Sequence, residues 1–276
     1  MRFGLSTSPQ RTTWEWIAQV WDLADAHEVF ESAWTFDHFY PLFGDSSEDC
    51  LEGWVTLTAL LARTRRLRGG VLVSGMVYRH PGLLANMAVT LDHTSQGRVE
   101  LGVGAGWNEE ECEAYGIDLG TMTQRFDRFA EGLEVIERLL TRDRTDFDGE
   151  YYTFRDAMCW PKPLQSPLPV CIGGRGRTRT LPLAARYAHH WNYSGSDPEE
   201  FADLRGLLFS HAARHGRDPQ EFTCSAIARW TGDSGHLDDQ IAAFSRVGTD
   251  LMIVSVPKDR DPSTVEEIAS VVSRHR

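Results

Sequence analysis

The chain is poor in cysteine, short of basic residues relative to acidic ones, and without a long apolar run. Its five cysteines, Cys50, Cys112, Cys159, Cys171 and Cys224, are odd in number and scattered, and no two are spaced C-x-x-C. This argues against a disulfide framework or a cysteine-based zinc site, and a reduced cytoplasm is the expected setting. Lysine and arginine total 28 against 40 aspartate and glutamate, leaving a formal charge of −12. Such a balance excludes a general electrostatic hold on nucleic acid or on anionic membranes, although a few arginines in one loop can still bind a small anion. No segment approaches a membrane span, and the opening Met1-Arg2-Phe3-Gly4-Leu5 lacks the apolar core of a signal peptide. Without secretion, the sequon Asn192-Tyr193-Ser194 carries no meaning. Linkers and low-complexity runs are also missing, so residues 1–276 are read as one domain.

What the sequence does have is a repeated alternation of short apolar strand and amphipathic helix. Strands are predicted at 3–5, 32–36, 67–74, 98–103, 170–172, 191–193, 222–229 and 250–256. Helices fall at 14–29, 54–62, 81–91, 124–140, 178–188, 198–215, 237–247 and 262–275. Between Thr141 and Pro169 the rhythm breaks, and the aspartates, glycine and prolines there read as an excursion with a short hairpin near Tyr151 to Phe154. Eight alternations in this length predict an α/β protein, a (β/α)₈ TIM barrel with an insertion between strand 4 and strand 5. A doubly wound open sheet is the other arrangement of such a pattern. The first strand runs into Ser6-Thr7-Ser8-Pro9-Gln10, however, and no G-x-G-x-x-G follows it.

In such a barrel the chemistry belongs just past the strand ends. Past the second strand lie Asp37 and His38, and Ser74 ends the third. Gly106 and Trp107 follow the fourth, Gly173-Gly174-Arg175-Gly176-Arg177 follow the fifth, and Asn192 belongs to the sixth. The fifth-strand loop reads as an anion site, with glycines admitting close backbone approach and Thr178 as N-cap of the next helix. A tight turn with solvated arginines is the alternative. His38 can move a proton near neutral pH, with Asp37 fixing the local backbone or the ring tautomer; a buried structural histidine is the competing reading. Gly102, Gly104 and Gly106 either leave room for a flat ring or relieve crowding at the barrel mouth. Glu109, Glu110 and Glu111 read as a solvated helix start. Metal ligation is not expected, because His189 and His190, the adjacent histidine pair, point apart on a strand.

Taken in order, these residues resemble the luciferase-like flavin monooxygenase superfamily, and more closely its deazaflavin (coenzyme F420)-dependent branch. The resemblance spans nearly the whole chain. It rests on Phe36-Asp37-His38-Phe39, Tyr78-Arg79-His80-Pro81, the run Gln96 to Trp107, Arg125-Phe126, Phe147 to Tyr152, Pro161-Lys162-Pro163, Ile172 to Gly176 and Trp191-Asn192. It implies an oxidoreductase that transfers hydride between F420 and a small organic substrate, with FMN and monooxygenation as the alternative. It further implies Asp37 and His38 near the ring, and a non-proline cis peptide near Val71-Leu72 with Leu72 and Ser74 at the cofactor. Gly106, Trp107 and Asn192 would complete the cofactor site, with Gly173, Gly174, Arg175, Gly176 and Thr178 at its phosphate. Sugar-phosphate dehydrogenases of that branch are expected to carry Glu at position 107 and Asn at 110, where this chain has Trp107 and Glu110. Members often pair, and aromatic residues on the outer helices would permit a homodimer.

Overall fold

The computed structural model describes residues 1–42 and 44–276. Its first half runs β1 (Arg2–Ser6), α1 (Trp14–Ala26), β2 (Phe30–Thr35), α2 (Gly53–Arg63), β3 (Arg68–Val71), β4 (Ser74–Gly75), α3 (Pro81–Thr94) and β5 (Val99–Gly104). An insertion follows: α4 (Glu109–Ala114), α5 (Met122–Thr141) and the antiparallel hairpin β6 (Thr145–Asp148) and β7 (Thr153–Ala157). Alternation resumes with β8 (Val170–Gly173), α6 (Thr180–Tyr187), β9 (His190–Tyr193), α7 (Pro198–Arg214) and β10 (Thr223–Arg229). It ends with α8 (Ser234–Arg246), β11 (Leu251–Ser255) and α9 (Thr264–Val272).

The nine-stranded sheet runs β3-β2-β1-β11-β10-β9-β8-β5-β4, and a further β3–β5 pairing closes it. All its pairings are parallel, and β3 and β4 share one position, so the closed barrel has eight staves. This is the expected TIM barrel, with its insertion between the fourth and fifth staves. The third predicted strand, 67–74, is broken in the middle. The peptide bond between Leu72 and Val73 is cis, one bond beyond where the resemblance placed it.

Two cores divide the apolar residues. The larger lies between staves and helices and includes Trp21, Leu57, Leu84, Phe129 and Phe201. Helix starts there are fixed by side-chain caps, as where Thr13 accepts from the Trp16 N–H and Thr121 forms a reciprocal capping box with Gln124. The smaller core fills the barrel itself with Trp34, Cys171, Leu251 and Ile253. Polar side chains share that interior, among them His190, which packs edge-on against Trp34.

Candidate active site

A cleft of about 360 Å³ opens at the C-terminal ends of the staves, within the size range of small-molecule sites. The second stave sends Asp37 and His38 into it, the third Leu72, the fourth Gly106 and Trp107. The fifth contributes Gly173 and Gly174, and the sixth Asn192. Residues more than 130 positions apart in sequence are thus gathered at one rim by the strand order.

Its back wall is the Leu72–Val73 segment, and the glycines explain how that segment fits. A Cβ on Gly102 would strike the Val71 carbonyl, and one on Gly104 would come within 2.8 Å of a Val73 methyl. One on Gly173 would lie 3.2 Å from the other Val73 methyl. Of the two sequence readings of this glycine run, crowding relief is what the packing shows at Gly102 and Gly104. The room they make is taken by strand three, which then presents the wall.

His38 is held from behind. Its Nδ1 lies 2.7 Å from Glu111 Oε2, the Phe39 N–H donates to Oε1 at 2.5 Å, and the Tyr78 hydroxyl donates to Oε2 at 2.6 Å. Glu111 is fully buried. Burial pushes its carboxyl up, but the donors from His38, Phe39 and Tyr78 outweigh this and hold it below its usual value. The ionised carboxylate only accepts, so Nδ1 carries the proton and Nε2 is the nitrogen left for the cleft. Burial, then the neighbouring Glu111, pushes the Tyr78 phenol far above its usual value, so it stays a donor.

This corrects the reading of the acidic run. Glu109 and Glu110 are exposed, as a solvated helix start requires, but Glu111 turns inward. The Asn108 side chain accepts from the Glu111 N–H at 3.2 Å and starts the six-residue α4 there. Asp37 does not set the His38 tautomer either. It pairs with Arg79, which also holds Glu52. Burial raises the Asp37 carboxyl more than Arg79 lowers it.

Four expected residues do not line the cleft. Ser74 is fully buried behind the wall, where its hydroxyl accepts from Trp54 Nε1 at 2.6 Å. Arg175, Gly176 and Thr178 lie on the exposed loop after β8. Thr178 is not an N-cap, because α6 starts two residues later with Arg179 at the cap and no side-chain bond. The Thr180 hydroxyl instead packs under this turn, 2.7 Å from where a Cβ on Gly176 would stand. The anion reading keeps its physical basis, however. Among the described residues, none of the backbone N–H groups from Arg175 to Thr180 donates to a protein acceptor. Arg175 and Arg179 are held only by exposed pairs with Glu200 (3.1 Å) and Asp127 (2.7 Å), which an anion displaces at little cost.

His189 and His190 do point apart. His189 Nδ1 accepts from the Val170 N–H, while His190 faces the barrel interior.

A closed α/β barrel with a cleft walled by Leu72 and Val73, a carboxylate-anchored histidine and a loop of unengaged N–H groups at one rim defines a class of small-molecule enzyme. The sequence model of the luciferase-like monooxygenase family matches residues 1–260, and the chain belongs to that family of oxidoreductases. An uncharacterized protein of Mycobacterium tuberculosis is 32% identical over 243 residues, covering 85% of this chain and 80% of that one. An F420-dependent glucose-6-phosphate dehydrogenase of Microbacterium testaceum is 34% identical over 176 residues, 63% of this chain and 51% of that protein. The structure of an F420-dependent secondary alcohol dehydrogenase superposes with a TM-score of 0.90 at 18% identity, over 100% of this chain and 99% of the other.

Proposed function

We propose that this protein binds coenzyme F420 in the cleft and transfers hydride between it and a small organic substrate. The observation that carries the reading is the pairing of a back-anchored His38 with the unengaged N–H loop after β8, both at the rim of one cleft walled by Leu72 and Val73. Similarity to F420-dependent relatives supports the choice of coenzyme.

The residues present suit such a group. Leu72 and Val73 offer an apolar wall for one ring face, with no side chain on Gly104 or Gly173 to roughen it. Gly173, Gly174 and the N–H groups from Arg175 to Thr180 suit its phosphate, reinforced by Arg175 and Arg177. When bound, the deazaflavin supplies the carbon that takes or gives the hydride.

The chain's own part is orientation and the proton. Glu111 fixes His38 with Nε2 toward the substrate, where it accepts a proton from an alcohol or returns one to a carbonyl. Trp107 and Tyr78 stand beside the His38 ring, with centroids at 5.6 and 6.3 Å, and limit water there. Trp107 stands where the resemblance expects the acid of sugar-phosphate dehydrogenases, so the reading does not extend to glucose 6-phosphate.

The family's description favours a second reading, in which FMN occupies the cleft and reduced flavin activates oxygen. Mixing the protein separately with F420 and FMN, and following absorbance and fluorescence, separates the two. Preference for F420 with little affinity for FMN is expected. Tight FMN binding with oxygen consumption would replace the proposal by the monooxygenase.

A further inference from the structure

Beneath the cleft runs a line of buried polar side chains that the proposed chemistry does not use. His190 and Asn192 are two residues apart on β9 and share its inward face. On β10, Ser225 pairs in register with Asn192. Asn192 Nδ2 donates to Ser225 Oγ at 2.8 Å, and that oxygen lies 2.6 Å from His190 Nε2. His190 Nδ1 lies 3.1 Å from Glu100 Oε2, and Arg68 Nε donates to Glu100 Oε1 at 3.1 Å. Glu31 is the further charged group near this ring, and Trp34 packs edge-on against it at 5.4 Å.

Donor counting fixes the direction of the line. Burial pushes Glu100 up, but His190 and Arg68 bring it down to about 2, so at neutral pH it only accepts. His190 Nδ1 therefore carries a proton. Ser225 Oγ receives the Asn192 amide, and its single hydrogen needs an acceptor. His190 Nε2 supplies one only if the ring is neutral. A cationic ring would instead donate to Ser225, whose hydrogen would turn toward Asn192 and demand the amide's oxygen. The structure has the nitrogen there. With Nδ2 committed to Ser225, the other end of the Asn192 amide, Oδ1, is the end left for the cleft that Asn192 lines.

We infer that Glu100, His190 and Ser225 are positioning residues that hold Asn192 with its carbonyl oxygen toward the cleft, where it selects a ring N–H donor such as the imide edge of a flavin or deazaflavin. The identity of the ring rests on the coenzyme reading above, whereas the relay does not.

The relay is tested on the ligand-free protein by ¹⁵N NMR of the imidazoles. A neutral His190 protonated at Nδ1 is expected at pH 7, with an Nε2 resonance that shifts in Ser225→Ala. A cationic ring, or one protonated at Nε2 alone, overturns the relay. Selection is tested by titrating F420, FMN and the analogue of each methylated at the imide nitrogen into wild type and S225A, with thermal midpoints as a check on folding. Ser225→Ala is expected to weaken the unmethylated coenzyme about tenfold, the scale of one oriented hydrogen bond. Methylation is expected to weaken wild type by a similar factor and S225A no further. Equal affinities of the two proteins for the unmethylated coenzyme overturn the selection. Failure of wild type to bind either coenzyme removes the coenzyme reading, while the imidazole spectrum still decides the relay.

Discussion

The barrel contains two histidines backed by glutamates, and they differ in what surrounds the second ring nitrogen. At the rim, His38 Nδ1 rests on Glu111 at 2.7 Å; in the interior, His190 Nδ1 rests on Glu100 at 3.1 Å. Both carboxylates hold their pKa below the usual value through the same balance of burial against donors. What separates the pairs is the second ring nitrogen. His190 Nε2 is engaged by Ser225, so every polar atom of that ring is satisfied. His38 lines the cleft, and with Nδ1 on Glu111 its Nε2 is the ring nitrogen left for it. Under the proposed chemistry, an anchored ring can react only where its far nitrogen is not already spoken for.

Removing His38 should break the comparison most. His38→Ala is expected to lower kcat by about 10²–10⁴, the range for a general acid–base group, with coenzyme affinity within about threefold of wild type. Steady-state kinetics with a coenzyme titration checks this, and unchanged turnover with intact binding would remove His38 from the chemistry. The interior pair should answer in stability instead. A carboxyl lowered from 4.5 to about 2 contributes above its unfolded value and loses that contribution as pH falls through the folded one. Glu100→Gln is therefore expected to cost roughly 3 kcal/mol at pH 7. The gap to wild type should narrow as pH drops below 4.5, as read by urea unfolding; a gap independent of pH contradicts the assignment. The smallest effect belongs to the loop after β8. Replacing Arg175 and Arg177 together by Ala should weaken coenzyme binding about three- to tenfold and flatten its salt dependence. An unaltered salt dependence would leave the phosphate to the backbone alone.

The barrel was legible because its signal is repetitive: apolar strand, polar turn, amphipathic helix, eight times over. The break in the third stave was not, because Leu67 to Ser74 reads as one strand in any local pattern. Of the expected residues, those at strand ends that line the cleft were reached by position. Glu111 was hidden by its own neighbours, since two exposed glutamates beside it made the run look solvated. The spacing Asn108 to Glu111, a cap and its third residue, was the available clue. Tyr78 and Arg79 lay inside a quoted motif, but only the fold brings them against Glu111 and Asp37. Thr178 illustrates the reverse error. It has a capping side chain, yet the loop runs on past it, and Thr180 packs under the glycines instead.

Val73 has a wider consequence. One valine is flanked by backbone from the fourth and fifth staves, fitted to it where Gly104 and Gly173 lack a methyl. The depth of the binding slot is therefore not owned by any one position. Under the coenzyme reading, redesign for a bulkier or slimmer ring would mean changing the three sites as a set, since each alone trades one collision for another.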